Sequence, residues 1–150
     1  MTNRTMLKFG YPESLIADYQ HWRVLLRPQQ VTFGALVLIC KGEARALPGI
    51  PRDAFTELAE VTADIETTLS ALCPYDKINY LMLMMVDCDV HFHVLPRYAR
   101  AREFDGVTYR DRGWPGPPEL GEAITLAPLK RDRLLAALAA LWPGGKALTG

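Results

Sequence analysis

The apolar residues of the chain change their period several times, and each change marks a predicted element. Two short apolar-rich stretches, 14–19 and 22–26, predict strands, and the second ends at Arg27-Pro28. A continuous apolar run at 34–40, closed by Lys41-Gly42, is typical of a strand buried on both faces. The first part of the chain therefore predicts three strands.

A helical period begins after a loop at 47–51. From Phe55 to Leu72, apolar residues recur at spacings of three and four over about five turns, with acidic residues on the other faces. Pro74 ends the pattern, because proline cannot continue a helix. This segment predicts the long helix of the fold.

The residues after this helix predict a hairpin. The apolar run at 78–86 indicates a central strand, with its methionines packed beneath the long helix. Asp87-Cys88 offers a tight turn into a second strand at 90–95, so the two strands should pair antiparallel.

The C-terminal part predicts an ordered loop and one more helix. Residues 97–118 are rich in Arg, Gly and Pro, and the loop has aromatic anchors at Phe104, Tyr109 and Trp114. The helix should begin near Pro128 and end at Trp142, with a mobile tail beyond 143–145. The order of elements predicts an α+β fold with a mostly antiparallel sheet of about five strands.

Composition and charge narrow the function classes. The chain has 150 residues, 49% hydrophobic and 23% charged, as in an ordinary globular domain. Its 17 basic residues balance 17 acidic ones. We therefore expect neither a nucleic acid nor a membrane as partner, since both attract a basic excess. A local pocket for a small anion stays compatible with this balance.

Three cysteines and the N-terminal segment indicate the compartment. Cys40, Cys73 and Cys88 are odd in number and widely spaced, which favours reduced thiols, two of them buried. No secretory signal appears, and the longest uncharged run is far shorter than a membrane span. The sequence predicts a cytoplasmic protein.

Candidate chemistry lies in one stretch, Asp89 to Arg97. Residues two apart in a strand share a face, so Asp89, His91 and His93 should project from the same side. Their α-carbons would then lie roughly 6.5 Å apart at each step. Two imidazoles beside a carboxylate are suited to nucleophilic or acid–base chemistry.

The stretch Val90–Arg97, Val-His-Phe-His-Val-Leu-Pro-Arg, resembles the end of the signature of the histidine-triad nucleotide-binding family. Segments 22–28 and 33–38 are similar to the upstream strands of that family, so the resemblance covers about residues 14–98. It implies a single histidine-triad domain over 1–150, with a C-terminal loop and helix at 99–143. It also implies a homodimer, a nucleotide or other small phosphate ligand, and no cofactor.

The resemblance implies a role for each matching residue. His91 would attack a nucleotide phosphorus, and His93 would bind the phosphate oxygens. Asp89 stands in place of the first histidine, and its main-chain carbonyl could still orient the His91 ring. Arg27, at the ribose-contacting position, and Arg97, which closes the motif, are the candidate substrate-binding residues.

The sequence departs from the family pattern at several positions. Asp89 replaces a histidine, Ala35 stands where a further histidine is common, and 84–88 joins two strands almost directly, without the Gly/Gln phosphate loop. The Asp89 carboxylate would repel a phosphate unless it is paired with an arginine, turned aside or protonated. Candidate arginine partners follow the motif: Arg97, Arg100, Arg102, Arg110 and Arg112.

Three functions stay open from the sequence. The first is a hydrolase or transferase that uses His91 on a phosphoanhydride, phosphoramidate or dinucleotide. The second is a protein that binds nucleotides or anions without the chemistry. The third is a metal site of Asp89, His91 and His93, although steps of about 6.5 Å along one strand fit poorly around one ion.

Overall fold

Five strands form one antiparallel sheet in the computed structural model, which describes residues 1–145. The sheet order is β1-β2-β4-β6-β5, and every neighbouring pair is antiparallel. The predicted α+β class and strand number are confirmed. The predicted mobile tail, and the last residues of the predicted 1–150 domain, lie outside the described residues. In chain order the elements are α1 (Arg4–Lys8), β1 (Leu15–Asp18), β2 (Trp22–Leu26), β3 (Gln29–Gln30), β4 (Leu36–Cys40), α2 (Arg52–Leu72), β5 (Lys77–Leu81), β6 (His91–Arg97), β7 (Arg102–Phe104), β8 (Val107–Tyr109), β9 (Ile124–Thr125) and α3 (Pro128–Leu141), with short 3-10 helices at Leu47–Gly49 and Pro143–Gly145.

The two faces of the sheet are covered by different helices. Alternate residues of β2 and β4, among them Val24 and Leu38, share a core with α2 and α3, to which Ile65 and Leu138 belong. The intervening residues form a second cluster with α1. The continuous apolar run of β4 is therefore buried on both faces, as predicted, because each face meets a helix.

Helix α1 covers the face that carries the two histidines. Asn3 begins the helix by accepting a hydrogen bond from the Met6 amide at 3.1 Å. Met6 and Phe9 pack on residues of β2 and β4, including Ile39. In the sheet register Ile39 lies opposite His91, so both histidines of β6 face α1. The sequence analysis did not predict this helix.

The predicted strand at 78–86 is wrong in extent and in position. β5 ends at Leu81 and lies at the edge of the sheet, while β6 takes the inner place. Met84 has a φ of 54°, a left-handed conformation outside the range of a regular strand. Residues 82–90 therefore form a nine-residue connection in place of the predicted tight turn at Asp87-Cys88. The antiparallel pairing of β5 with β6 is confirmed.

The methionines of this connection differ in their surroundings. Met82 and Met84 are half-buried against the main core, as the predicted packing requires. Leu83, Met85 and Val86 are 46%, 82% and 81% exposed, which contradicts a wholly buried run. The cause is that the chain leaves the sheet at Leu81, so these side chains no longer lie on a face of the sheet.

The C-terminal predictions are largely confirmed. Within the predicted loop at 97–118, β7 and β8 form a hairpin, and Tyr109 is buried against the ring of Phe33 at 4.7 Å between centroids. Helix α3 ends one residue before Trp142. Cys40 and Cys73 are buried and Cys88 is exposed, as predicted. None of the helices within residues 1–145 has the length and apolar character that a membrane span requires.

Candidate active site

The two histidines stand side by side at the start of β6. Because they are two residues apart in a strand, their rings project from one face, with centroids 5.1 Å apart and planes at 83°. His91 is 1% exposed and His93 is 6% exposed. The predicted pairing of the two imidazoles on one face is thus present.

A main-chain carbonyl orients the His91 ring. Nδ1 of His91 lies 2.6 Å from the carbonyl oxygen of Asp89. A carbonyl can only accept a hydrogen bond, so Nδ1 carries the proton and donates it. In the neutral ring, this tautomer leaves the lone pair on Nε2, as a nucleophilic imidazole requires.

The Asp89 carboxylate is turned away from the histidines. Its Oδ2 accepts hydrogen bonds from the Thr5 amide at 3.1 Å and from the Thr5 hydroxyl at 2.9 Å. The amide is one of the free N–H groups in the first turn of α1, where a carboxylate is favourable. The carboxylate is thus turned aside, which is one of the three arrangements expected to make it tolerable beside a phosphate.

The orientation of the Asp89 carboxylate is also incompatible with a metal site made of Asp89, His91 and His93. Its carboxylate bonds Thr5, so it does not converge with the rings of His91 and His93. In the part of the chain that the structure describes, no group of three His, Cys, Asp or Glu side chains could hold a metal ion.

Helix α1 brings two further residues to the histidines. The Phe9 ring meets His93 edge-on, with centroids 5.6 Å apart and planes at 78°. Lys8 reaches across to residues 82–90, where its Nζ lies 2.8 and 2.9 Å from the two oxygens of Asp87. The helix is therefore tied to the second half of this connection, through Asp87 and Asp89.

These elements enclose a pocket of about 240 Å³ in front of the histidines. Its walls come from the end of α1, the start of β6, the connection at 82–90, and the turn between β2 and β3. The lining residues are Lys8, Phe9, Arg27, Gln29, Leu83, Met84, Met85, Val86, Asp87, His91, His93 and Leu120.

His93 is held neutral in this pocket. Burial, together with the nearby His91 ring and Arg27 guanidinium, lowers the pKa of His93 to about 4. Its Nδ1 is buried and has no hydrogen-bond partner among the described residues. A neutral imidazole has one N–H, which can donate a hydrogen bond to a ligand oxygen.

Arg27 supplies positive charge to the same pocket. Its Nη1 donates to the carbonyl oxygen of Gln29 at 2.7 Å, and its guanidinium lies 5.9 Å from the centre of the Phe9 ring. Burial lowers the pKa of Arg27, whose Nε has no hydrogen-bond partner within residues 1–145. The structure thus places Arg27, a predicted substrate-binding residue, beside the histidines.

The sequence matches no protein-family model and no curated protein. Solved structures match it over nearly its whole length. A histidine triad protein from Marinobacter aquaeolei VT8 has a TM-score of 0.73 at 17% identity, and the match covers 95% of each chain. A histidine triad (HIT) protein from Sinorhizobium meliloti 1021 has a TM-score of 0.72 at 17% identity, covering 94% of this chain and 96% of that one.

A third similar structure is a hypothetical histidine triad nucleotide-binding protein from Sulfolobus tokodaii, with a TM-score of 0.64 at 14% identity. That match covers 91% of this chain and 87% of the other. This chain has the histidine-triad fold.

Within this histidine-triad fold, Arg97 lies outside the pocket. Its guanidinium donates to Asp111 at 2.6 and 3.1 Å, to Asn79 at 2.9 Å and to the Gly116 carbonyl at 2.8 Å. It is 4% exposed, and the Asp111 side chain is 1% exposed. The placement indicates an internal ion pair and does not bring Arg97 to a ligand. None of the other candidate arginines lines the pocket either: Arg100, Arg102, Arg110 and Arg112.

The sequence analysis missed Thr5, Lys8 and Phe9, because no local pattern connects α1 with a strand some eighty residues later. The connection at 82–90 was missed as well. The apolar run at 78–86 has an ordinary strand length, and nothing in it marks Leu81 as the end of β5.

Proposed function

We propose that the protein binds a nucleotide, or a similar phosphate compound, and that His91 attacks its phosphorus. The observation that carries the proposal is the 2.6 Å contact between Nδ1 of His91 and the carbonyl oxygen of Asp89. The contact places the proton of the neutral ring on Nδ1 and leaves Nε2 as the nucleophilic nitrogen beside a pocket of about 240 Å³.

In the proposed step, a bond forms between Nε2 of His91 and the phosphorus. The bond from phosphorus to the leaving group breaks, and the leaving group departs with the bonding electrons and takes a proton from water. Water then attacks the phosphorus, the bond to Nε2 breaks, and a nucleoside monophosphate is released. An alcohol or amine in place of this water makes the reaction a transfer.

Charges around the histidines support phosphate binding. Neutral His93 donates a hydrogen bond to a phosphoryl oxygen without charge repulsion from its neighbours, and Arg27 faces the same space. Preorganised donors of this kind stabilise charge that develops on the phosphoryl oxygens in the transition state.

The comparisons support the ligand class at the level of the fold. The Sulfolobus tokodaii protein is described as a histidine triad nucleotide-binding protein. We extend that ligand class to this chain for two reasons. The rings of His91 and His93 lie side by side, and the Asp89 carbonyl orients the His91 ring.

The alternative is a binding protein without turnover, motivated by Asp89 in place of the first histidine. A panel of nucleoside phosphoramidates, mononucleotides and dinucleoside polyphosphates separates the two functions. Turnover that falls at least about 1,000-fold in His91→Gln supports the enzyme. Binding without turnover supports the alternative. The absence of both binding and turnover overturns the proposal.

We also propose a homodimer in a reducing, cytoplasmic compartment. β5 lies at the sheet edge, so one side of its backbone has no partner strand in the described part of the chain. The three cysteines are free thiols, which suits a reducing compartment. Sedimentation velocity tests the dimer: a single species of twice the chain mass supports it, and a monomer contradicts it.

A further inference from the structure

Three exposed apolar side chains stand at the mouth of the pocket. Leu83, Met85 and Val86, which we call the apolar lip, are 46%, 82% and 81% exposed and line the same pocket as His91. Large apolar side chains that cluster at a pocket mouth mark a surface that contacts an apolar group.

The charge around the lip limits what can lie against it. The ammonium of Lys8 is already paired with the Asp87 carboxylate at 2.8 Å. Arg27 is therefore the uncompensated cation among the lining residues. One cation matches one negative charge, that of a single phosphate diester or amide.

A polyphosphate fits this arrangement poorly. Its further charges would extend towards the Lys8–Asp87 ion pair, which offers no net positive charge, and towards the lip, whose side chains cannot hydrate them. Within the described lining residues, no second unpaired cation is available to receive a second phosphate.

We infer that the substrate carries an uncharged, apolar substituent on the phosphate that His91 attacks, and that the apolar lip binds this substituent. The inference rests on the proposed function and names its substrate class. The substituent is the leaving group: as Nε2 bonds to phosphorus, it departs with the bonding pair and takes one proton from water. The lip then acts before and during this step, by burying the substituent.

A homologous series tests the inference. The probes are adenosine and guanosine 5′-phosphoramidates whose nitrogen carries a methyl, butyl or hexyl chain, with release of the mononucleotide as the readout. We expect kcat/KM to rise roughly three- to tenfold from methyl to butyl, because the added methylenes lie against the lip.

The double variant Met85→Gln/Val86→Thr should flatten this dependence on chain length. Both side chains are largely exposed, so the fold tolerates the change. Leu129→Gln is the matched control, since Leu129 is 64% exposed on α3, away from the pocket, and should keep the wild-type dependence.

A charged probe as long as the butyl compound tests whether the pocket disfavours a second negative charge. The 3-carboxypropyl phosphoramidate should react about tenfold more slowly than the butyl compound. Asp87→Asn should reduce this discrimination, because it removes the carboxylate that neutralises Lys8 and so frees the Lys8 ammonium for the charged probe.

The results that would overturn this inference differ from those that would overturn the proposed function. Turnover that is independent of chain length, or faster for the charged probe, overturns the inference and leaves the role of His91 intact. A lip variant that changes the oligomeric state and not the chain-length dependence assigns the lip to a contact between copies, and also overturns it. No turnover and no binding of any probe overturns both.

Discussion

Asp89 holds His91 by its main-chain oxygen, 2.6 Å from Nδ1, and holds Thr5 by its side chain. One residue thus orients the proposed nucleophile and also anchors α1 over it. The Asp89 carboxylate bonds Thr5 and so does not turn towards the proposed phosphate ligand.

The bond between Thr5 and Asp89 should be measurable as a coupling in stability. Thr5→Val and Asp89→Ala each remove one side of a buried hydrogen bond, and each should lower the free energy of unfolding by about 1–3 kcal/mol. The double variant should lose less than the sum of the two, by about 1 kcal/mol or more.

Urea denaturation of the four proteins checks this prediction, with Asp132→Ala as a control on an exposed aspartate. Additive losses would show that the carboxylate does not bond the Thr5 hydroxyl. In turnover assays, Asp89→Ala should raise KM more than it lowers kcat, since the main-chain oxygen that orients His91 remains.

His93 should make stability depend on pH. Its pKa is about 4 in the folded protein and about 6.5 in an unfolded chain, so the unfolded state binds more protons between these values. Stability is therefore complete above about pH 6.5 and falls as the pH drops towards 4. After allowance for solvent screening at the pocket mouth, we expect a loss on the order of 1–2 kcal/mol.

Denaturation at pH 7.5 and pH 5 checks the sign, with His93→Gln as the reference. The wild-type protein should lose more stability between the two values than the variant does. Equal losses in the two proteins, or a larger loss in the variant, would show that His93 titrates normally.

Arg97 should matter for stability and not for ligand affinity. Arg97→Gln leaves the Asp111 carboxylate buried without its partner, which costs about 3–5 kcal/mol. Thermal or urea unfolding measures this loss. A variant that folds with near wild-type stability but binds nucleotides weakly would instead make Arg97 a ligand contact.

The fold could be predicted because its elements carry local signals. The apolar-rich stretch of β2, the two-sided apolar run of β4 and the period of α2 each depend on residues within one segment. β5 was misplaced because apolar content alone cannot distinguish an inner strand from an edge strand that continues as an exposed connection.

The candidate site could be predicted only in part. The spacing of two residues between His91 and His93 is visible in the sequence, and in a strand this spacing places both side chains on one face. The partners of Asp89 and Arg97 could not be found, because Thr5 and Asp111 reach them through tertiary packing that no spacing rule describes.

Trapping the covalent intermediate tests the central claim most directly. A bond between phosphorus and an imidazole nitrogen survives alkali, so the reaction with a nucleoside phosphoramidate is stopped in base and the intact protein is weighed by mass spectrometry. The account predicts an added nucleoside monophosphoryl group on the wild-type protein, located at His91, and none on His91→Gln. Turnover by His91→Gln at the wild-type rate, or the same adduct on that variant, would contradict it.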